Sequence, residues 1–312
     1  MNSCDSTEPT KEDVKKIASS LKIPKSPPSS NFPFDVLKYM KENANPKQAV
    51  ELMRVNKYFL QREFRFKDYG KLTVVDNMFH VYTWDDRNVA ITGELRIKDS
   101  YGYYFFYRLV CNTVLCDLRC LVLNIRYMDY EDFKFLTSSG NLKDLSMKGL
   151  SKIRNNGKIV PSEIILDHTP LLRKLTIIDV ATSIMSSKFV EKILESDLQR
   201  LVLFRFPKAF DFELMLTSLR KKPTLCIILF FDKHYRRNKV NAYIDKLIAE
   251  NVTDSLTPYF ETPCSEISEI RKKALDKLRS NFLQHHPDSV FRNIQHSTLL
   301  KETKQEIEDQ YY

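Results

Sequence analysis

The sequence predicts an α/β protein. A short N-terminal helical module leads into irregular leucine-rich strand–helix units that build a parallel sheet, and a C-terminal helix caps the stack. Three observations carry this. Aliphatic triplets of the form L-x-x-L-x-L recur at a nearly constant spacing from Tyr69 to Phe230. The segments between them have helical periodicity. A compact stretch with two helix-start signals, FPFDVLKYMKENANPKQAVELMRVNKYF, stands ahead of the first triplet. Four segments follow: 1–31, a flexible leader; 32–66, the helical module; 67–260, the repeating domain; and 261–312, a helix with a polar tail.

The leader shows a weak helical pattern (Val14, Ile17, Leu21) and then KIPKSPPSSN, a connector composition. In the helical module Pro33 fits a first helical position, where a missing N–H costs nothing. Asp35 suits the positive end of the helix dipole, and Val36, Leu37 and Met40 share a face. The chain breaks at Asn43–Asn45 and restarts at Asn45-Pro46, with Gln48 placed to reach back to the cap. Val50 and Met53 point inward from that second helix, and Val55, Tyr58 and Phe59 continue into a third short piece. Such a unit is marginal alone and leans on a partner or on the next domain.

The triplets are Leu118-Leu121-Leu123, Leu142-Leu145-Met147, Leu172-Leu175-Ile177, Leu198-Leu201-Leu203 and, with substitutions, Leu225-Ile228-Phe230. Weaker copies precede them at Tyr69-Leu72-Val74 and Thr92-Leu95-Ile97. Successive starts lie 23, 26, 24, 30, 26 and 27 residues apart, the period of leucine-rich repeats. One strand–helix unit cannot hide its apolar face alone, so stacking buries it against a neighbour. Return helices are predicted from Asp129 to Gly140 burying Phe133 and Leu136, and over SSKFVEKILES with Val190, Ile193 and Leu194. Two more are predicted over FDFELMLTSL with Leu214 and Leu219, and over NKVNAYIDKLIAE with Val240, Tyr243, Ile244, Leu247 and Ile248. The turn positions that hold Asn or Cys in regular repeats carry Arg126, Leu150, Val180, Phe206 and Lys233 here, so a twisted α/β sheet that is not strictly a solenoid is the alternative. After Phe260 the rhythm stops. Thr262-Pro263 starts the capping helix, with Ile267, Ile270, Ala274, Leu278 and Phe282 on one stripe, and the residues from about 284 are polar.

Composition narrows the function. A net charge of +9 leaves an acidic partner open, but both signs are spread along the chain. The N-terminus lacks an apolar signal core, and the longest apolar run, Leu225–Phe231, is too short for a bilayer. The expectation is a soluble intracellular protein, cytoplasmic or nuclear, with no membrane partner. Cys111, Cys116 and Cys120 lack the paired knuckles of a zinc site and read as buried thiols. His285, His286 and His296 lie in a polar tail without nearby cysteines. Tyr101–Tyr107 reads as core aromatics. There is no G-x-S-x-G turn, phosphate loop or dinucleotide fingerprint, and Asp167-His168 has no nucleophile beside it. The expectation is therefore no catalytic residues, no metal and no cofactor. The basic cluster Lys233, Arg236, Arg237 and Lys239, with Tyr235 to stack, makes nucleic acid the less favoured partner class.

Phe32-Pro33-Phe34-Asp35-Val36-Leu37, the polar break with Asn45-Pro46, and Val55-Asn56-Lys57-Tyr58-Phe59 together resemble an F-box. That family's pattern is leucine-proline, an acid, two aliphatics, a second helix and valine-serine-lysine-aromatic. Phe32 stands for the leucine and Asn56 for the serine. The layout is similar to the expanded F-box families of nematodes. The resemblance implies a non-enzymatic adaptor of a cullin-based ubiquitin ligase. Pro33, Val36, Leu37, Met40, Val50 and Met53 would then dock on the linker subunit that joins the cullin scaffold. The repeats would hold an unidentified target protein through exposed strand positions such as Arg119, Lys143, Lys174 and Arg200. An interaction scaffold without ligase contact is the alternative.

Overall fold

A computed structural model of the chain describes residues 34–43, 67–75, 89–98, 109–110, 113–125, 127–148, 153–179, 186–205, 211–231, 237–261, 267–286, 289, 291 and 296–311. The fold is α/β with a large parallel sheet. It divides into two compact units, one of residues 1–121 and 126–142, the other of residues 122–125 and 143–312.

The first unit holds helix α1 (Phe34–Asn43) and strands β1 (Lys67–Val75), β2 (Val89–Lys98) and β3 (Thr113–Asn124, of which the last residues belong to the second unit). A two-residue strand β4 (Met128–Asp129) runs directly into α2 (Tyr130–Leu136). β1 and β2 are parallel, and Leu72 pairs with Leu95 and Val74 with Ile97, as the triplets predict. The triplet heads do not pair: Tyr69 lies opposite Ile91, because Gly70 faces the two residues Thr92 and Gly93. This bulge depends on glycine, since Gly93 has φ +102° and a Cβ there would lie 2.5 Å from the Gly70 carbonyl oxygen. Glu94 then meets Lys71 across the strands at 3.2 Å and also pairs with Arg96. Burial alone would raise the Glu94 carboxyl, but these two cations outweigh it and hold it below the usual range. α2 buries Phe133, Phe135 and Leu136, and ends where the Thr137 hydroxyl donates to Phe133 O at 2.9 Å.

In the second unit the strands β5 (Asp144–Lys148), β8 (Lys174–Ile178), β9 (Arg200–Phe204), β10 (Cys226–Phe230) and β11 (Tyr259–Glu261) lie side by side in chain order and all run parallel. Between β5 and β8 come a hairpin, β6 (Ile153–Asn155) and β7 (Lys158–Ile159), and helix α3 (Ser162–Asp167). The remaining crossovers carry α4 (Ser187–Glu195), α5 (Phe212–Leu219) and α6 (Arg237–Ala249). Helices α7 (Glu269–His285) and α8 (His296–Tyr311) follow β11.

Leu145, Leu175 and Leu201 stand in line on adjacent strands and are essentially inaccessible to solvent. The next residue in that line is Ile227, one position ahead of the Ile228 that the triplet reading places there. β10 is buried on both faces, so its sequence has no polar alternation from which to set the phase. Strand entry repeats from unit to unit: the amides of Lys174, Arg200 and Cys226 donate to Lys143 O, Arg173 O and Gln199 O at 2.8–2.9 Å. Strand exit repeats as well. Asp179 and Arg205 both take left-handed φ values, +57° and +58°, and their amides donate to Phe204 O and Phe230 O. The irregular turn positions Arg126, Leu150, Val180, Phe206 and Lys233 fall outside the described residues.

The strands alternate between two covered faces. Phe260, opposite Leu229, packs with Phe231 and with Tyr243 of α6, and these rings also meet Phe212 of α5. The row containing Leu203 and Leu229 therefore faces the return helices, and with it the Leu145–Leu175–Leu201 row two residues earlier. Thr176, Val202, Ile228 and Tyr259 occupy the other face, and they too are buried.

Successive helices are joined by ion pairs: Asp167 with Lys192 at 3.0 Å, Glu213 with Lys246 at 2.9 Å, and Asp245 of α6 with Arg271 of α7 through two contacts of 2.7 Å. Arg220 reaches Glu250 at 3.4 Å. Lys222 caps the carboxyl end of α4, donating to Ile193 O and Ser196 O; its burial lowers its pKa. Two helix faces differ from the sequence reading. Leu214 is 68% exposed, because α5 turns Phe212, Met215, Leu216 and Leu219 inward instead. On α7, Ile270 is 81% exposed and the buried stripe is Leu275, Leu278, Arg279, Phe282 and Leu283. Both buried sets keep the three- and four-residue spacing that one helical face requires; Leu214 lies five residues from Leu219, and Ile267, which set the phase for Ile270, precedes the first residue of α7.

Candidate functional site

The sheet face opposite the return helices carries a row of polar side chains under the C-terminal helices. At its entry edge Asp144, Lys174, Arg200 and Cys226 stand in register on four strands. Lys174 is pinned by Glu306 of α8 at 2.6 Å and by Asp144 at 3.7 Å. The Arg200 guanidinium lies 5.8 Å from the centre of the Phe291 ring, itself buried. Cys226 is fully enclosed, and burial raises its thiol to about 12, so it is not a thiolate near neutral pH.

The next row is closed by α7. Arg279 is 4% exposed, and its Nε and Nη2 donate to Thr257 O at 3.1 Å and Pro258 O at 2.6 Å. Its Nη1 holds Asp276 at 2.7 Å, and the guanidinium lies 4.0 Å from the centre of the Tyr259 ring. Burial raises the Tyr259 phenol and lowers Arg279 from its ordinary value. α8 completes the cover. Leu299, Thr303 and Ile307 turn one stripe inward and the Thr303 hydroxyl donates to Leu299 O at 2.7 Å. Between α7, α8 and the exits of β10 and β11 lies a cavity of about 460 Å³, lined by Phe230, Glu261, Lys272, Leu275, Leu300 and Lys304. With Glu306 at the entry of β8 and Leu300 near the exits of β10 and β11, α8 crosses the strands diagonally.

The four sequence-predicted target contacts do not form one row. Lys174 and Arg200 are in register and share the face under α8, where the C-terminal segment already engages both. Lys143 is exposed but sits one residue ahead of Asp144, so the two-residue strand period points it away from Lys174. Arg119 is exposed on β3 in the first unit. The residues missed from sequence are Glu306, Phe291 and Arg279. They sit in segments read as polar tail or wet helix side, and only the stripe Leu299-Thr303-Ile307 at four-residue spacing signals a packed helix there.

Of the sequence-predicted linker contacts, Val36, Leu37 and Met40 lie in α1, with Asp35 in its first turn. Val36 is 39% exposed, and its neighbour Tyr39 is 67% exposed. Pro33, Val50 and Met53 fall outside the described residues. In the basic cluster Lys239 is engaged, 3.5 Å from Asp211 and over the Phe212 ring, while Lys233 and Arg236 are not among the described residues and Arg237 opens α6. Cys116 is buried, donates to Leu136 O at 3.5 Å and has its pKa raised by burial, whereas Cys111 and Tyr101–Tyr107 are not described. His286 is no tail residue, since it caps α7 and stacks on Phe282 at 4.2 Å. Among the described residues no group of three His, Cys, Asp or Glu could hold a metal ion, and no helix is long and apolar enough to cross a membrane. Compared with protein families, curated proteins and solved structures, the chain matches none.

Proposed function

We propose that the chain is a non-enzymatic adaptor that recruits a target protein to a cullin-based ubiquitin ligase. In this reading the N-terminal module is an F-box docked on the linker subunit, and the strand–helix units are irregular leucine-rich repeats. The observation that carries it is α1, which leaves Val36 and Tyr39 exposed beside Leu37 and so offers apolar surface to a partner. Recruitment acts by raising the effective concentration of target near an enzyme held elsewhere, which asks for no reactive side chain. The register-locked sheet supports the holding role, because it presents neighbouring strands as one rigid surface.

The test is binding of the full chain to the purified linker subunit. Leu37→Asp should weaken it by at least about 100-fold, the loss expected when a charge enters the centre of a packed contact. Equal binding by wild type and variant refutes the docking reading. The scaffold alternative rests on the second unit, whose strands pair in register and bury their aliphatic rows. It predicts no affinity for the linker in either protein.

A further inference from the structure

We propose that the sheet face beneath α8 is a helix-receiving site, held closed in cis by α8, and that its incoming occupant is an amphipathic, acid-bearing helix of the target protein. The inference rests on the adaptor reading only in assigning that helix to a target.

Three observations carry the receiving site. First, the face is made for a side chain pattern that α8 itself displays. Leu299, Thr303 and Ile307 enter at four-residue spacing over buried strand residues, and Glu306 meets the cation at the entry of β8. Second, the cover is lightly anchored. Among the described side chains α8 sinks two large apolar ones, Leu299 and Ile307, whereas α6 sinks Val240, Tyr243, Ile244 and Leu247. Third, the cover does not seal the face. The 460 Å³ cavity under Leu300 and Lys304, floored by Phe230, leaves apolar surface that a better-fitting helix with a larger side chain would fill. Charge sets the chemistry of the occupant. Lys174 and Arg200 stand in register at the strand entries, so an incoming helix must bring a carboxylate to that end, as Glu306 does.

A competing helix must wait for α8 to leave, so its apparent affinity falls by the fraction of chain that is open. The experiment uses the full chain carrying Leu299→Asp and Ile307→Asp, which releases α8 while leaving every sheet residue in place. The probe is a fluorescent synthetic peptide of residues 296–311. The double variant should bind it at least about tenfold more tightly than wild type does, and the same peptide carrying Glu306→Lys should bind at least about tenfold more weakly. A folded variant that ignores the peptide overturns the proposal. Should the double variant fail to fold, amide hydrogen exchange on wild type decides. Exchange in α8 at least about 100-fold faster than in α6 supports a detachable cover, and equal protection overturns it. Wild-type protein that elutes as a dimer would make a second copy the occupant and overturn the assignment to a target. Linker binding should be unchanged by Leu299→Asp and Ile307→Asp, so this proposal and the docking reading fail separately.

Discussion

Arg279→Met removes a cation that ties α7 to the start of β11 while keeping a long apolar stem. The guanidinium satisfies Thr257 O and Pro258 O, both in the stretch entering β11, and covers Tyr259. A hydrogen bond to a charged group contributes about 1.5–3 kcal/mol, so losing two removes about 3–6 kcal/mol. The lost cation–π contact adds about 2 kcal/mol, of which a methionine–aromatic contact restores about 1 kcal/mol. Against this stands the desolvation of the cation, which burial makes unfavourable and which methionine avoids. Asp276, 49% exposed, loses little because water replaces its partner. The net expectation is a loss of about 2–4 kcal/mol. Arg279→Lys should lose at least half as much, because a single ammonium cannot span the fork that reaches two carbonyls. Urea unfolding followed by far-ultraviolet circular dichroism, with the slope held fixed, measures both. A loss below about 1 kcal/mol for Arg279→Met would show that the two carbonyls find other donors, and the assignment of Arg279 as the tie would be wrong.

Two further outcomes follow from the backbone and from charge. Gly93→Ala should cost at least about 2 kcal/mol, since it combines left-handed strain with a 2.5 Å approach to Gly70 O. Gly140→Ala, with φ +66° and open space around it, should cost only about 1 kcal/mol, and urea unfolding of the pair separates clash from strain. The Arg271 guanidinium holds the Asp245 carboxyl below its ordinary value of 3.8. A depressed acid stabilises the fold above its unfolded pKa and loses that contribution as pH falls through the folded one. Arg271→Gln should therefore flatten the fall in stability below about pH 4 and shift the acid unfolding midpoint less than one unit. An unchanged acid limb would show that the bidentate pair is not linked to folding.

The parallel sheet was legible because aliphatic residues at fixed spacing leave few alternatives. Leu145, Leu175 and Leu201 cannot be buried together unless their strands are in register. What was not legible had physical causes. Ile227 and Ile228 look alike when both faces of β10 are covered, so the phase slipped by one residue. Lys143 and Lys174 look equivalent by charge, but two-residue alternation separates them. α8 was missed because a threonine occupies the middle of its buried stripe, its hydroxyl satisfied by the preceding turn of the same helix. The tight turn of the β6–β7 hairpin was available in the sequence as Asn156-Gly157, both with positive φ. On the site itself, single side chains on a strand announce their charge but not which of them a distant segment will occupy.

The bridges between successive helices share a sense of direction. In Asp167–Lys192, Asp211–Lys239, Glu213–Lys246 and Asp245–Arg271 the carboxylate belongs to the earlier element and the cation to the later one, and among the described residues only Arg220–Glu250 runs the other way. Each exposed pair contributes little on its own. As a set they act like arrows printed on bricks: a unit stacked upside down would bring like charges together, so the array favours one direction of stacking by what it forbids.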